Sequence, residues 1–231
     1  IATGAALLMV GGEFDLSVGS MIGFAGMMIA IPTVYFGWPI AASVVFAFCG
    51  ALLIGFLNGV VVVRTRLPSF IVTLASLYIL RGMTIALSIF FANRTIVSGV
   101  KNFAGDSVVV PLFAGKAFPG FFVWLADAGI IGTLPNGQPS VQGIPAVVIW
   151  ALVIALIGHV VLTRTRFGNW IFGAGGDANA ARNVGVPVAR VKIILFMITA
   201  FCATVYATCQ VMEFGSAAAD RGLLKEFEAI I

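Results

Sequence analysis

Charge is scarce in this chain. Of 231 residues, 13 are Lys or Arg, 9 are Asp or Glu and one is His, so charged side chains make up 10%. Soluble domains carry about 25%. A water-facing surface of ordinary extent cannot be built from this sequence. The three cysteines, Cys49, Cys202 and Cys209, lie inside apolar runs, where a thiol acts as a small hydrophobe. Neither a disulfide framework nor a metal centre is expected from them. The single histidine, His159, stands near the end of an apolar run and reads as an interfacial residue. No G-x-x-x-x-G-K-[ST] phosphate loop, no His/Cys ligand cluster and no G-x-S-x-G nucleophile occurs. These absences leave no catalytic residue, metal or bound cofactor to assign, and the chain is not read as an enzyme.

Apolar side chains are abundant instead: 61% of residues are hydrophobic and the mean hydropathy is +1.11. This is the composition of an integral membrane protein. The expected fold is all-α, a polytopic transmembrane helical bundle. A spanning helix needs about 20 predominantly apolar residues. Residues 1–10 read as the tail of one helix, and 17–36, 38–63, 68–91, 143–163 and 193–214 as full spans. The chain opens inside one apolar segment and closes at the start of another, so it reads as a piece of a longer protein, truncated at both ends. The net charge of +4 does not indicate nucleic-acid binding, because the basic residues cluster at span ends.

Those clusters orient the chain. Arg64-Thr65-Arg66 and the stretch from Arg164 to Lys192 are both cytoplasmic by the positive-inside rule, with two spans between them. Residues 92–142 then form a long external segment, and the chain emerges outside after Phe214. A span at 120–134 would put the two basic clusters on opposite sides; Asp127 and the glycines and proline that follow also speak against one. The echo of Arg64-Thr65-Arg66-Leu67 in Arg164-Thr165-Arg166-Phe167 reads as two independent anchors rather than a tandem repeat. Within the loop 164–192, Asp177 is a suitable N-cap for a helix over 178–184, Gly185 suits a left-handed C′ position, and Pro187 stops continuation. A helix of about two turns is unstable alone and reads as a docking element.

A few polar residues occupy costly positions. Gly11-Gly12-Glu13-Phe14-Asp15-Leu16-Ser17 places two carboxylates between apolar runs. It reads either as a cytoplasmic turn with a capped helix start, or as a discontinuous helix lining a polar pathway. Arg81 reads either as snorkelling outward or as facing the bundle beside a carboxylate. Asn58, inside Gly55-Phe56-Leu57-Asn58-Gly59, reads as an interhelical hydrogen-bonding residue at a small-xxx-small contact. Glu13, Asp15, Ser17, Asn58 and Arg81 are the candidate pathway residues. Spans with buried polar groups and no chemistry of their own suggest a transporter or channel.

Three segments together resemble the permease subunit of the ribose/xylose-type ATP-binding-cassette sugar importers. They are Gly12-Glu13-Phe14-Asp15-Leu16-Ser17-Val18-Gly19-Ser20; Asn58-Gly59 with Leu67 to Leu74 and Arg81-Gly82; and Phe167-Gly168-Asn169 with Gly175-Gly176-Asp177, Ala180-Ala181-Arg182 and Gly185-Val186. The match follows the family's order over nearly the whole chain. It departs at Asp177, where the family often has Asn, and it is silent over 92–142. The resemblance implies a multi-pass subunit of the bacterial inner membrane that forms the pathway for a pentose or similar monosaccharide. Its implied partners are a second permease copy, a cytoplasmic ATPase that uses the ATP, and an extracytoplasmic solute-binding protein. Gly175, Gly176, Asp177, Ala180, Ala181, Arg182 and Gly185 would form the coupling element seated on the ATPase. The alternative cargoes are a nucleoside, a branched-chain amino acid or an autoinducer-type molecule. An alternative of another class is a proton-coupled carrier with Glu13, Asp15 and Arg81 as its relay.

The orientation is testable by cysteine labelling. With the native cysteines replaced, a cysteine at Ala180 should react with a membrane-impermeant thiol reagent only from the cytoplasmic side, and one at Ala114 only from outside. Labelling of both from one side would overturn the topology.

Overall fold

The computed structural model describes residues 1–230 other than 104, 106 and 136; these three, in the expected external segment, and Ile231 lie outside the described residues. The short helix α1 (Ala2–Val10) ends at a non-helical break, from which α2 (Val18–Phe36) restarts. Two long helices follow, α3 (Ile40–Thr65) and α4 (Ser69–Ala92). Pro39 and Pro68 stand at their N-caps and left-handed Gly37, Arg66 and Asn93 end α2, α3 and α4. The joints are therefore set by local backbone chemistry.

Beyond α4 come short elements: β1 (Ile96–Ser98), a 3₁₀ turn over Val100–Phe103, α5 (Val109–Ala114), β2 (Lys116–Ala117), α6 (Pro119–Asp127) and β3 (Ile144–Pro145). Strand β2 pairs antiparallel with β3. At nine residues with no buried side chain, α6 is too short to span. Helix α7 (Ala146–Arg164) returns through the membrane to α8 (Arg166–Gly176) and α9 (Ala178–Asn183), and α10 (Val188–Phe214) crosses once more. Strand β4 (Ser216–Ala218) pairs antiparallel with β1, Ile96 opposite Ala218, and α11 (Lys225–Ile230) closes the described chain. Among the described residues, α2, α3, α4, α7 and α10 are long and apolar enough to cross a membrane.

Helix α2 is the hub. Its span is 83% buried, whereas that of α7 is 11% buried. It packs against α3, α4 and α10. Glycines let backbones meet where helices cross: Cβ atoms at Gly55 and Gly59 of α3 would stand 2.7 Å from the Phe196 carbonyl oxygen and the Ile193 Cα of α10. This is the small-xxx-small contact expected from the sequence.

Three expectations are corrected. The segment 164–192 is mostly helix. Thr165 caps α8 by accepting a hydrogen bond from the Gly168 amide at 3.1 Å. Gly168 and Gly175 serve close approach, to α7 and to the end of α1. Helix α10 begins at Val188, five residues earlier than hydropathy suggests, because its first turns are polar; Lys192 is therefore helical. Finally, the chain past Phe214 does not stay outside. Residues 217–222 run back along α2, where Gly26, Gly23 and Gly19 face Ala217, the carbonyls of Ala219 and Arg221, and that of Gly222 in turn.

Overpacking the α3–α10 crossing should cost about 1–3 kcal/mol. Gly55→Ala should lower the melting temperature in detergent, whereas Gly82→Ala on the open face of α4, where a Cβ meets nothing within 4 Å, should not. Equal melting of the two variants would contradict this packing.

Candidate functional site

The break between α1 and α2 gathers most of the chain's costly polar groups. Six of its amides find partners one by one. Gly11, Gly12 and Glu13 donate to the carbonyls of Leu7, Met9 and Leu8 at the end of α1 (3.1, 2.9 and 3.1 Å). Phe14 donates to Ser69 Oγ (3.0 Å) and Leu16 to Thr73 Oγ1 (3.1 Å), both on α4. Ser17 donates through both its amide (2.8 Å) and its hydroxyl (2.6 Å) to Asp15 Oδ1. Gly12 makes the turn with φ of 81°, a conformation that favours glycine.

Asp15 is buried, and the Thr199 hydroxyl of α10 donates to its Oδ2 at 3.3 Å. Thr199 lies about 16 Å along α10 from Val188 at 1.5 Å per residue. The break is therefore non-helical backbone within the bundle, not a turn in water. Its geometry keeps one part of each sequence reading: Asp15 bonds the residue that starts α2, and the helix is discontinuous within the bundle. Ser17 also accepts from Asn58 Nδ2 (3.2 Å), and Asn58 Oδ1 accepts from the Ser76 hydroxyl (2.5 Å). Asn58 thus bonds α2, α3 and α4 together, the interhelical role expected of it.

Glu13 leads away from this cluster. Its carboxylate forms an ion pair with Lys192 of α10, with both side chains largely shielded. Arg66 and Arg182 line the same cleft of about 190 Å3. Beside it, Gly175 packs backbone against backbone on the end of α1: a Cβ on Gly12 would stand 3.2 Å from the Gly175 Cα. Arg81 stands apart. Half-buried, it lines a small crevice with Ser20, Thr84 and Asp220, and it forms no ion pair among the described residues.

In the loop, Asp177 Oδ1 accepts from the amides of Asn179 (2.9 Å) and Ala180 (3.0 Å). The Ala180 amide, with that of Asn179, holds this exposed carboxyl below the usual carboxylate range, so the cap stays intact through neutral pH. Gly185, with φ of 87°, follows α9. Ala181 is buried against Ile171, Val188 and Leu195 in one apolar cluster with Leu7 and Leu8 of α1. Gly176, Ala180 and Arg182 are exposed, and Arg182 donates to Asn179 Oδ1 at 3.1 Å. The face of α9 away from the bundle is thus open.

Sequence reasoning missed Ser69, Thr73, Ser76, Thr199 and the partner of Glu13. A signal existed: Ser69, Thr73 and Ser76 recur at i, i+4 and i+7 on one face of an apolar helix.

These features define a class: a multi-pass helical membrane protein with a broken helix at its centre and a short capped helix presented at the basic end of the bundle. Over residues 1–231 the chain matches the family described as the branched-chain amino acid transport system / permease component, and it belongs to that family. It is 28% identical over 263 residues to the xylose transport system permease protein XylH of Escherichia coli (strain K12), aligning all of this chain with 66% of that protein. It is 28% identical over 233 residues to the ribose import permease protein RbsC of the same strain, aligning all of this chain with 62% of that protein. The fructose import permease protein FrcC of Rhizobium meliloti is 25% identical over 224 residues, 97% of this chain and 55% of that protein. The chain thus spans just under two thirds of the length of the xylose and ribose relatives. No solved structure matches it.

Asp15 gives the sharpest test of the break. Asp15→Ala leaves the buried Ser17 amide and hydroxyl without their acceptor, at a cost of about 1–3 kcal/mol. Asp15→Asn keeps a carbonyl oxygen there and should cost less. Thermal melting of the purified protein reads the order; an alanine variant as stable as wild type would remove Asp15 from this role.

Proposed function

We propose that this chain belongs to the membrane subunit of an ATP-driven importer of a small sugar in a bacterial inner membrane. Family membership along residues 1–231, with relatives named for xylose, ribose and fructose, carries the reading. The subunit pairs with a second copy, receives cargo from an extracytoplasmic solute-binding protein, and leaves ATP hydrolysis to a cytoplasmic ATPase. The family's description in terms of branched-chain amino acids supports one alternative cargo, and competition uptake assays with xylose, ribose, fructose and leucine decide between them. A proton relay through Glu13, Asp15 and Arg81 finds no support. Glu13 is paired with Lys192, Asp15 is bonded to Ser17 and Thr199, and no hydrogen bond or ion pair joins Arg81 to either carboxylate among the described residues.

Residues 175–185 act as the coupling element. The buried side of α9 belongs to the apolar cluster that holds α1 and α10. Its open side is free for a partner, and Arg182 and Arg66 suit an acidic side chain of an ATPase cleft. A push on α9 passes through Gly175 to Gly12 and through Lys192 to Glu13, and so reaches the break at Asp15, Ser17 and Asn58, the portion of the pathway we assign to this chain.

Breaking α9 should uncouple hydrolysis from transport. Ala181→Pro removes the amide that donates to the Asp177 carbonyl at 2.9 Å, a helix defect of about 3 kcal/mol or more. Arg182→Glu reverses charge on the open face. In proteoliposomes containing the full-length permease, ATPase and binding protein, both variants should insert normally but lose assembly or binding-protein-stimulated hydrolysis. Wild-type assembly, hydrolysis and uptake in both would exclude this loop as the coupling element.

A further inference from the structure

At the end of the bundle remote from α9, a cavity of about 330 Å3 lies between α5, the start of α7 and the last turns of α10. That volume is within the range of small-molecule sites, about 300–1,000 Å3. Tyr206, Gln210 and Glu213 of α10 line it at i, i+4 and i+7, so one helix face brings three polar side chains to one place. The Gln210 carboxamide is half used: Nε2 donates to the Tyr206 hydroxyl oxygen at 2.9 Å, while Oε1 is buried with no hydrogen-bond partner. A buried carbonyl left unpaired costs about 1–3 kcal/mol; a ligand hydroxyl would remove that cost. The Tyr206 hydroxyl, accepting from Gln210, keeps its own proton to donate. Glu213 adds a carboxylate that forms no ion pair among the described residues.

An aromatic wall completes the cavity. Phe113 lines it and stacks on Trp150, with ring centroids 5.2 Å apart and planes 7° apart. The Trp150 indole is fixed by donating to the Leu112 carbonyl at 3.0 Å. Two acceptors, one donor and a rigid apolar plate are complementary to a compact molecule that presents several hydroxyl groups and an apolar C–H face.

We propose that this cavity is a monosaccharide subsite, with Gln210, Tyr206 and Glu213 bonding sugar hydroxyls and Phe113 packing against the ring. It rests on the importer reading for the class of cargo, and it adds a sugar contact at the far end of α10 from the coupling loop.

Trp150 supplies the probe. In the full-length permease, with Trp38, Trp124, Trp170 and any tryptophan outside residues 1–231 changed to Phe and the protein held in phosphatidylcholine nanodiscs, D-xylose, D-ribose or D-fructose should change Trp150 emission saturably. Gln210→Leu should weaken the response about tenfold or more, and Tyr206→Phe, which keeps the ring, should weaken it less. In proteoliposomes with the ATPase and binding protein, Gln210→Leu should raise the half-saturating sugar concentration for uptake by a similar factor. A saturable response to a glycosyl-diacylglycerol but to no free sugar would overturn the proposal. So would wild-type import with neither a fluorescence response nor any effect of Gln210→Leu; the importer reading would then stand without the subsite. A sugar response in a complex that imports no sugar would leave the subsite standing and remove the importer reading.

Discussion

The constraint on which this structure depends is that backbone amides within the bundle must be bonded to protein. Away from water each unpaired group costs about 1–3 kcal/mol, and non-helical chain is tolerated at membrane depth only when enclosed. The break between α1 and α2 meets this requirement with side chains of α4 and with its own Asp15. Ser69 and Thr73 of α4 take the amides of Phe14 and Leu16, and Asp15 takes that of Ser17. Residues that look dispersed along the sequence are therefore one construction. The hydroxyls of an apolar helix are the acceptors for the backbone of a glycine-rich turn.

A second enclosed segment follows the same rule by other means. Residues 217–222 are shielded by lying against Gly19, Gly23 and Gly26 of α2, whose missing side chains admit the chain closely. Both irregular segments thus use α2, one at its start and one along its flank. That explains why α2 is the most enclosed of the spans and α7, which touches neither segment closely, the least. Among the described residues, salt-bridge chemistry contributes at one place only in this interior: Lys192, lifted into the helical part of α10, balances Glu13. Removing either partner would leave a shielded charge uncompensated, a larger cost than the pair's net contribution.

Much of this was legible in the sequence. Long apolar runs define the spans, and the charge clusters beside Arg64 and Arg164 suggest their direction. Asp177, Gly185 and Pro187 delimit the capped helix to within a residue. The family is visible in motifs that lie at the two places where backbone chemistry is demanding, the break and the loop. Other features escaped for physical reasons. The close contacts of Gly168 and Gly175 escaped because a sequence does not show what a missing Cβ lies against. Charges at the foot of α10 hid its first turns from a hydropathy reading. The partner of Glu13 lies 179 residues away, and no local pattern announces it. The inward return after Phe214 was hidden because its enclosure comes from α2, not from its own composition.

Helix α10 ties these parts together. Lys192 holds the break at one end, Thr199 bonds Asp15 further along, and Tyr206, Gln210 and Glu213 reach the aromatic cavity near the other. Its 27 residues span about 40 Å at 1.5 Å per residue, so one continuous helix meets both the capped element and the far cavity. The contacts at its foot are poor at absorbing displacement. Gly175 and Gly12 meet with no side chain between them, so no rotamer change can cushion a shift. The Lys192–Glu13 pair resists separation because each charge is shielded from water. A force applied to α9 therefore has two stiff routes, one into the break and one into α10. Helix α7 also meets α8 backbone to backbone, at Gly168, but its span is mostly exposed, so a shift passed that way is spent at the periphery. On this reading the break and α10 are the moving parts, and the peripheral helix serves mainly to bring the chain back across.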